Sequence, residues 1–206
     1  MNTGALRLFQ SSGSPNSRRV RIYLAEKGIC VALVPVDLGA KEQFSAAYAT
    51  INPRVVVPTL VLGDGTAIGE VPAIWRYLEE AYPEPPLLGA TPKEKALVTM
   101  WERRVELEGF ASVMEAVRNA AAGLAALHQS GDLLVAVRAG NHFYADLDDR
   151  LRSSTFVAGD RFSVADITAF VTMEFANAAL GAPVPDDHAA TRRWRGAVSS
   201  RSSMSA

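Results

Sequence analysis

Cysteine is almost missing: the 206 residues contain one, Cys30. A single thiol closes no intramolecular disulfide and forms no Cys-x-x-Cys pair. A disulfide-built secreted scaffold and a dithiol redox centre are therefore excluded, and the composition suits a reducing compartment. Histidine is also scarce, and the three present, His128, His142 and His188, lack metal-ligand spacing, so no metal is expected. No apolar run approaches the roughly 20 residues that cross a bilayer. Met1-Asn2-Thr3-Gly4 shows no basic stretch leading into an apolar one, as a secretory signal would. A cytoplasmic location without membrane contact is expected. Charge of one sign is not in surplus either: 21 Lys and Arg against 22 Asp and Glu leave a formal net charge of -1. That gives no field to attract nucleic acid or anionic lipid.

What is present is ordinary globular material, 49% hydrophobic and 21% charged, long enough for one large domain or two small ones. Leu6-Arg7-Leu8-Phe9 alternates as a short strand. Gln10 to Ser17 is a polar loop rich in helix-starting residues. Val20, Tyr23, Leu24 and Lys27 follow at helical spacing, and Gly28 stands where a C-terminal cap belongs. The apolar run Cys30 to Val36 reads as a buried strand, which makes Cys30 a buried strand residue. Strand, helix and strand form a βαβ unit with parallel strands. Lys41 to Ala49 is a weak helix. Thr59 to Leu62 and Thr66 to Ile68, joined by Gly63-Asp64-Gly65, form a hairpin. Glu70-Val71-Pro72 opens a helix whose stripe is Ile74, Tyr77, Leu78 and Ala81. The first 82 residues thus read βαβαββα.

Pro83 to Gly89 is a stiff, proline-rich linker. Residues 90–206 show only helical periodicity. Thr91-Pro92-Lys93-Glu94 is a capping box starting a long helix with Trp101, Val105 and Leu107. A second helix carries Val137, Tyr144, Leu147 and Leu151. Ser163-Val164-Ala165-Asp166 starts a third, with Ile167, Phe170 and Val171. The basic, serine-rich tail from Arg192 to Ala206 is expected to fray at its end. Arg18, Arg19 and Arg21 are expected on a solvated helix face.

Four segments, in this order and spacing, carry a resemblance that covers nearly the whole chain. Ser14-Pro15-Asn16-Ser17-Arg18-Arg19-Val20-Arg21-Ile22-Tyr23-Leu24-Ala25-Glu26-Lys27-Gly28 resembles the first-helix signature of cytosolic glutathione transferases. Asn52-Pro53 with Val57-Pro58-Thr59-Leu60 resembles their cis-proline segment. Gly63-Asp64-Gly65 through Glu70, with Ala73 to Glu80, resembles their glutathione-site helix. Val157 to Ile167 resembles the capping motif of their helical domain. Met100 to Glu106 and Arg118-Asn119 look most like bacterial and fungal members, serine-type or atypical in their catalytic residues. The resemblance implies a thioredoxin-like, glutathione-binding domain over residues 1–82, a linker over 83–89 and an all-helical domain over 90–206. It also implies glutathione as co-substrate, a small hydrophobic electrophile as second substrate, and a homodimer.

The family's chemistry is attack by glutathione thiolate, the nucleophilic form of the thiol. An unperturbed thiol ionises near 8.5, and each unit of depression requires about 1.4 kcal/mol. A hydroxyl donating to the sulfur and the positive end of a helix both supply this. Ser14 falls where serine-type members carry the catalytic hydroxyl, and Asn16 is a second donor. A cysteine-type alignment favours Asn16 and Ser17 instead, and Ser11 and Ser12 are also near. All of these can serve as plain helix caps. By resemblance Pro58 is cis and Val57 pairs its backbone with the cysteinyl unit of glutathione. Glu70 orients the γ-glutamyl amine, and the N–H of Val71 meets the γ-glutamyl carboxylate. Relatives usually have Glu-Ser here. Val71 has no hydroxyl and Pro72 no N–H, a loss of about 1.5–3 kcal/mol, or roughly 10- to 150-fold in affinity. Many relatives carry Gly-Lys where this chain has Val55-Val56, so Arg54, Lys41 or Gln43 would have to meet the glycyl end. The electrophile is expected between the domains against Trp101, Arg104, Val105 and Glu108, with Trp101 itself more a core residue than a contact.

Transfer of glutathione to an electrophile is the leading expectation, with glutathione-dependent isomerisation or peroxide reduction as variants. A non-catalytic dimerisation or binding module is the competing one, favoured by Val55, Val56 and Val71. A glutaredoxin-like reductase lacks its cysteine at the first helix.

Overall fold

A computed structural model describes residues 6–121 and 132–206, with side chains left undescribed from 120 to 141. His128, the Met1–Gly4 segment and the side chain of Val137 therefore lie outside the described residues. The chain divides into two compact units, Met1–Pro85 and Pro86–Met204, with Ser205–Ala206 grouped with the first.

The first unit runs β1 (Arg7–Gln10), α1 (Pro15–Lys27), β2 (Ala32–Pro35), a 3-10 turn (Glu42–Phe44), α2 (Ala46–Ile51), β3 (Thr59–Val61), β4 (Ala67–Ile68) and α3 (Val71–Ala81). The sheet order is β2-β1-β3-β4. β1 and β2 are parallel, as the βαβ reading requires, and β3 runs antiparallel to β1 and to β4. Alternation along the strands divides the core. Phe9 and Val61 pack with Val36, Tyr48 and Val57 in one buried cluster. Leu8 and Leu60 are fully buried by the alternate side. α1 packs on α3, with the Tyr23 and Trp75 rings stacked at 5.9 Å. Gly28 caps α1 at φ 64°, the left-handed region that glycine enters without cost.

Three local expectations are corrected here. The run Cys30 to Val36 is not a buried strand: β2 is an edge strand, mostly exposed, and Cys30 lies before it and is exposed. Apolar composition marks the strand but not its edge position. The helix at Lys41 to Ala49 resolves into the 3-10 turn and α2, because Ser45 caps a fresh helix by accepting the Tyr48 N–H at 3.1 Å. On α3, Ala81 is exposed and Trp75 is buried in its place.

The second unit runs α4 (Pro92–Arg104), a π-helical segment (Val105–Phe110), α5 (Ala111–Ala121), α6 (Asp132–Arg152), α7 (Val164–Leu180), α8 (Ala189–Ser199) and a final 3-10 turn (Ser202–Ser205). The capping box at α4 forms as read: Glu94 N–H to Thr91 Oγ1 at 3.2 Å, and Thr91 N–H to Glu94 Oε2 at 3.2 Å. Helical periodicity alone does not announce the π segment. Val105 is buried within it and Leu107 is exposed. A Cβ on Gly109 would lie 2.8 Å from the Phe143 ring, so glycine lets α6 approach closely. The tail does not fray. It folds as α8, with Trp194 and Val198 buried and Met204 buried beyond them. Among the described residues no helix is long and apolar enough to cross a membrane.

Candidate functional site

The register collects the first unit's candidates at one end of the sheet. Gln10 is level with Pro35, Phe9 with Thr59 and Leu60 with Ile68. The C-terminal ends of β1, β2 and β4 therefore meet the N-terminal end of β3. The loop to Ser14, the turn with Gln43, the Val57-Pro58 peptide and Glu70 all leave the sheet at that end.

Ser14 is the N-cap of α1, in extended backbone, and Pro15 opens the helix. Its Oγ accepts the Ser17 N–H at 3.3 Å, which leaves its own proton to donate. The Ser17 hydroxyl is fully buried and accepts the Ser11 N–H at 3.3 Å. Ser17 thus ties down the loop. The carbonyls of Ser11 and Ser12 accept from Arg21, whose Nη1 also bonds Gln10 Oε1 at 2.6 Å. The first turn of α1 contains no acid, whereas Glu94 and Asp166 occupy the first turns of α4 and α7. The positive end of α1 is left unneutralised by its own residues.

Asn16 accepts a bond through Oδ1 from Arg19 Nη1 at 3.1 Å. This corrects the expected solvated arginine face. Arg19 is 1% exposed, with its guanidinium 5.0 Å from the Trp75 ring, and Arg18 and Arg21 are half-buried. Arginine carries a long apolar stem and a flat head that stacks on an indole, so its charge alone is a poor guide to burial.

The Val57-Pro58 peptide is cis. A buried polar network holds it. The Tyr48 hydroxyl donates to Val56 O at 2.7 Å and lies 3.1 Å from Thr59 Oγ1, while Asn52 Nδ2 reaches the same two atoms at 3.0 and 2.8 Å. Burial pushes the Tyr48 phenol up, keeping it neutral and able to donate. The backbone N–H and C=O of Val57 find no hydrogen-bond partner among the described residues. Sequence reasoning misses Tyr48 and Thr59. The tyrosine three residues after Ser45 and the threonine after Pro58 are ordinary in type, and only the fold brings them together.

Val55 and Glu70 have φ of 52° and 59°, left-handed values that a side chain disfavours. Glu70 caps α3 without a side-chain bond and faces Arg54 at 3.6 Å, both largely exposed. Val71 is buried, and its N–H, at the start of α3, has no partner among the described residues. Gln43 is half-buried and its Oε1 is buried with no hydrogen-bond partner among the described residues. Unmet backbone and amide groups at one sheet end fit a peptide-like ligand, since buried polar groups are normally paired.

In the second unit, Trp101, Arg104, Val105 and Glu108 line one cavity of about 550 Å³ together with Phe143, Asp146, Leu147, Asp149, Arg150 and Ser153. Trp101 is half-buried, not a core residue, and the Arg104 and Arg150 guanidiniums each stand 4.9 Å from its ring.

A mixed sheet of this order, a hydroxyl-capped helix after its first strand and a cis-proline before its third define a thioredoxin-like domain, followed here by an all-helical domain. Residues 8–86 match the glutathione S-transferase N-terminal domain and residues 115–197 the glutathione S-transferase C-terminal domain. The chain is 34% identical to glutathione S-transferase 2 of Saccharomyces cerevisiae over 96% of its length and 87% of that protein's. It is 34% identical to the maleylacetoacetate isomerase of Rattus norvegicus over 81% of its length and 76% of that protein's. A solved glutathione S-transferase domain-containing protein of Marinobacter aquaeolei superposes with a TM-score of 0.87 at 35% identity, covering 96% of this chain and 99% of that one. The chain belongs to the glutathione S-transferase family.

Proposed function

We propose that the protein is an enzyme that joins the thiolate of glutathione to small hydrophobic electrophiles, working as a cytoplasmic homodimer. The observation that carries this is the start of α1: a hydroxyl with a free proton, a carboxamide and an unneutralised helix end within three residues. Ser14 donates to the sulfur, and the helix end favours its negative charge. The thiol proton leaves to solvent. The sulfur then attacks an electron-poor carbon, a C–S bond forms, and the leaving group departs with its electron pair. Val57 pairs with the cysteinyl backbone, Glu70 with the γ-glutamyl amine and the Val71 N–H with the γ-glutamyl carboxylate. Gln43 and Arg54 meet the glycyl end. The electrophile occupies the cavity at Trp101, Arg104, Val105 and Glu108.

Isomerisation uses the same thiolate, which adds to a conjugated double bond and leaves again. The likeness to the rat maleylacetoacetate isomerase supports it as a second reading. Valines at 55, 56 and 71 favour weak binding, or a module that binds a partner and catalyses nothing.

Calorimetric titration with glutathione of the wild type and of Val71→Ser tests the site. We expect weak binding, tightened roughly 10-fold or more by the restored hydroxyl. Ser14→Ala should lower turnover of a chlorodinitrobenzene-type electrophile by about 10- to 150-fold. Absence of heat from either titrated protein at millimolar glutathione would leave the fold without the transferase.

A further inference from the structure

We propose that Arg19 is a positioning residue, fixing the Asn16 carboxamide so that its N–H donors stay available to the glutathione sulfur. The inference rests on the transferase reading and names a part of that site beyond its hydroxyl.

An arginine head only donates. The Asn16 atom 3.1 Å from Arg19 Nη1 must therefore be the carboxamide oxygen, and the amide has one orientation. Its Nδ2 carries no hydrogen bond among the described residues, so two donor hydrogens are left at the second helical position, two residues after Ser14. A loose carboxamide would turn its oxygen toward the sulfur part of the time, and an oxygen lone pair repels a thiolate.

Arg19 is well placed to hold that orientation. It is 1% exposed and stacks 5.0 Å from Trp75, a residue as buried as itself. Trp75 in turn stacks on Tyr23, so the guanidinium is wedged between α1 and α3. Asn16 and Arg19 are three residues apart on one helix, the spacing at which side chains meet. A solvated arginine at this position would do none of this.

The test is the pKa of enzyme-bound glutathione, read from thiolate ultraviolet absorbance against pH. The variants are Asn16→Ala, Arg19→Lys, their double variant, and Arg19→Met alone and combined with Asn16→Ala. The other charged groups on α1, Arg18, Arg21, Glu26 and Lys27, and Glu79 facing it from α3 are unchanged throughout. Lysine keeps a cation but offers no planar head to stack and fork. We expect Asn16→Ala and Arg19→Lys each to raise the bound thiol's pKa by about one unit, a tenfold loss of thiolate below it. The double variant should move it no further, because both act through one carboxamide.

A wild-type pKa in Arg19→Lys beside a raised one in Asn16→Ala overturns the proposal, since Arg19 is then only packing. A wild-type pKa in Asn16→Ala also overturns it. Should Arg19→Lys not fold, Arg19→Met decides, since it keeps an apolar stem and offers no donor to Asn16 Oδ1. A pKa raised by Arg19→Met in the wild type but not further in Asn16→Ala supports the proposal, and an equal rise in both, the mere loss of a cation, or no rise in either rejects it. Loss of all glutathione binding by the wild type is a different result, the failure of the transferase reading itself.

Discussion

The sheet-bearing unit and the helical unit each bury a carboxylate against an aromatic residue, and they hold it by opposite means. Glu79 on α3 accepts the Tyr23 hydroxyl at 2.5 Å and faces Lys27 Nζ at 2.5 Å, with Lys27 also donating to Tyr82 O at 2.7 Å. Asp166 at the start of α7 is held by neutral donors among the described residues: Trp194 Nε1 at 2.8 Å, the N–H groups of Val157 and Ser163 at 2.9 Å, and Ser163 Oγ at 3.0 Å. A cation cancels a buried charge directly, whereas neutral dipoles compensate only part of the lost hydration. Accordingly burial pushes the Asp166 carboxyl up to about 6, against the pull of its four donors. In the other unit burial, followed by the bond to Glu79, pushes the Tyr23 phenol up. The first unit ties two helices together with a charge pair. The second ties a loop, a helix start and α8 together with one acid.

Removing Asp166 should have the largest effect. Asp166→Ala strands four buried donors, each worth about 1–3 kcal/mol when orphaned, and we expect about 3–5 kcal/mol of destabilisation in urea unfolding. The acid's folded-state pKa, about 6, lies above its ordinary 3.8. Its contribution is therefore fully present below about pH 4 and falls as pH rises through about 6. The stability gap between wild type and variant should be wider near pH 4 than near pH 7. An equal gap at both would mean that the four donors, not desolvation, set the carboxyl's affinity for protons.

The matching cut in the first unit is Lys27→Met, which leaves Glu79 without this cation. A buried pair broken on one side costs about 3 kcal/mol or more. The double variant Lys27→Met, Glu79→Gln should recover part of it, since a neutral amide can still accept from Tyr23. Full additivity of the two changes in a double-mutant cycle would dissolve the contrast with Asp166.

Much of this is legible in the sequence where the signal is local. The Thr91–Glu94 box, the Gly63-Asp64-Gly65 hairpin, the Gly28 cap and the proline-opened α3 each depend on residues within a few positions. Ser14 is placed at a helix start by the same means. What the sequence hides depends on residues far apart. Trp194 is buried by an acid 28 positions earlier, so the serine-rich tail looks loose when read alone. Arg19 is buried because Trp75 on another helix offers it a flat face. The strand at Ala32–Pro35 is apolar yet sits at the sheet's edge, a fact of topology. The left-handed backbone at Val55 has no residue-type signal at all, because valine is among the last residues expected there.

Val55 supplies the smallest and most local test of how the two units differ. The first unit carries part of its cost in backbone: a β-branched residue at φ 52°, its N–H bonded to Asn52 O at 2.9 Å, between the network of Asn52 and the site peptide at Val57. A left-handed side-chain residue costs about 1–2 kcal/mol, and glycine removes that cost. Glycine also adds freedom to the unfolded chain, about 0.5–1 kcal/mol in the other direction. Val55 is only half-buried, so little packing is lost. Val55→Gly should therefore raise the melting temperature slightly, by about 2 °C. A fall of the same size would show that the valine's contacts outweigh its backbone strain. Val55 would then add no net backbone cost to this unit, and its contrast with Asp166 would be drawn at the Lys27–Glu79 pair.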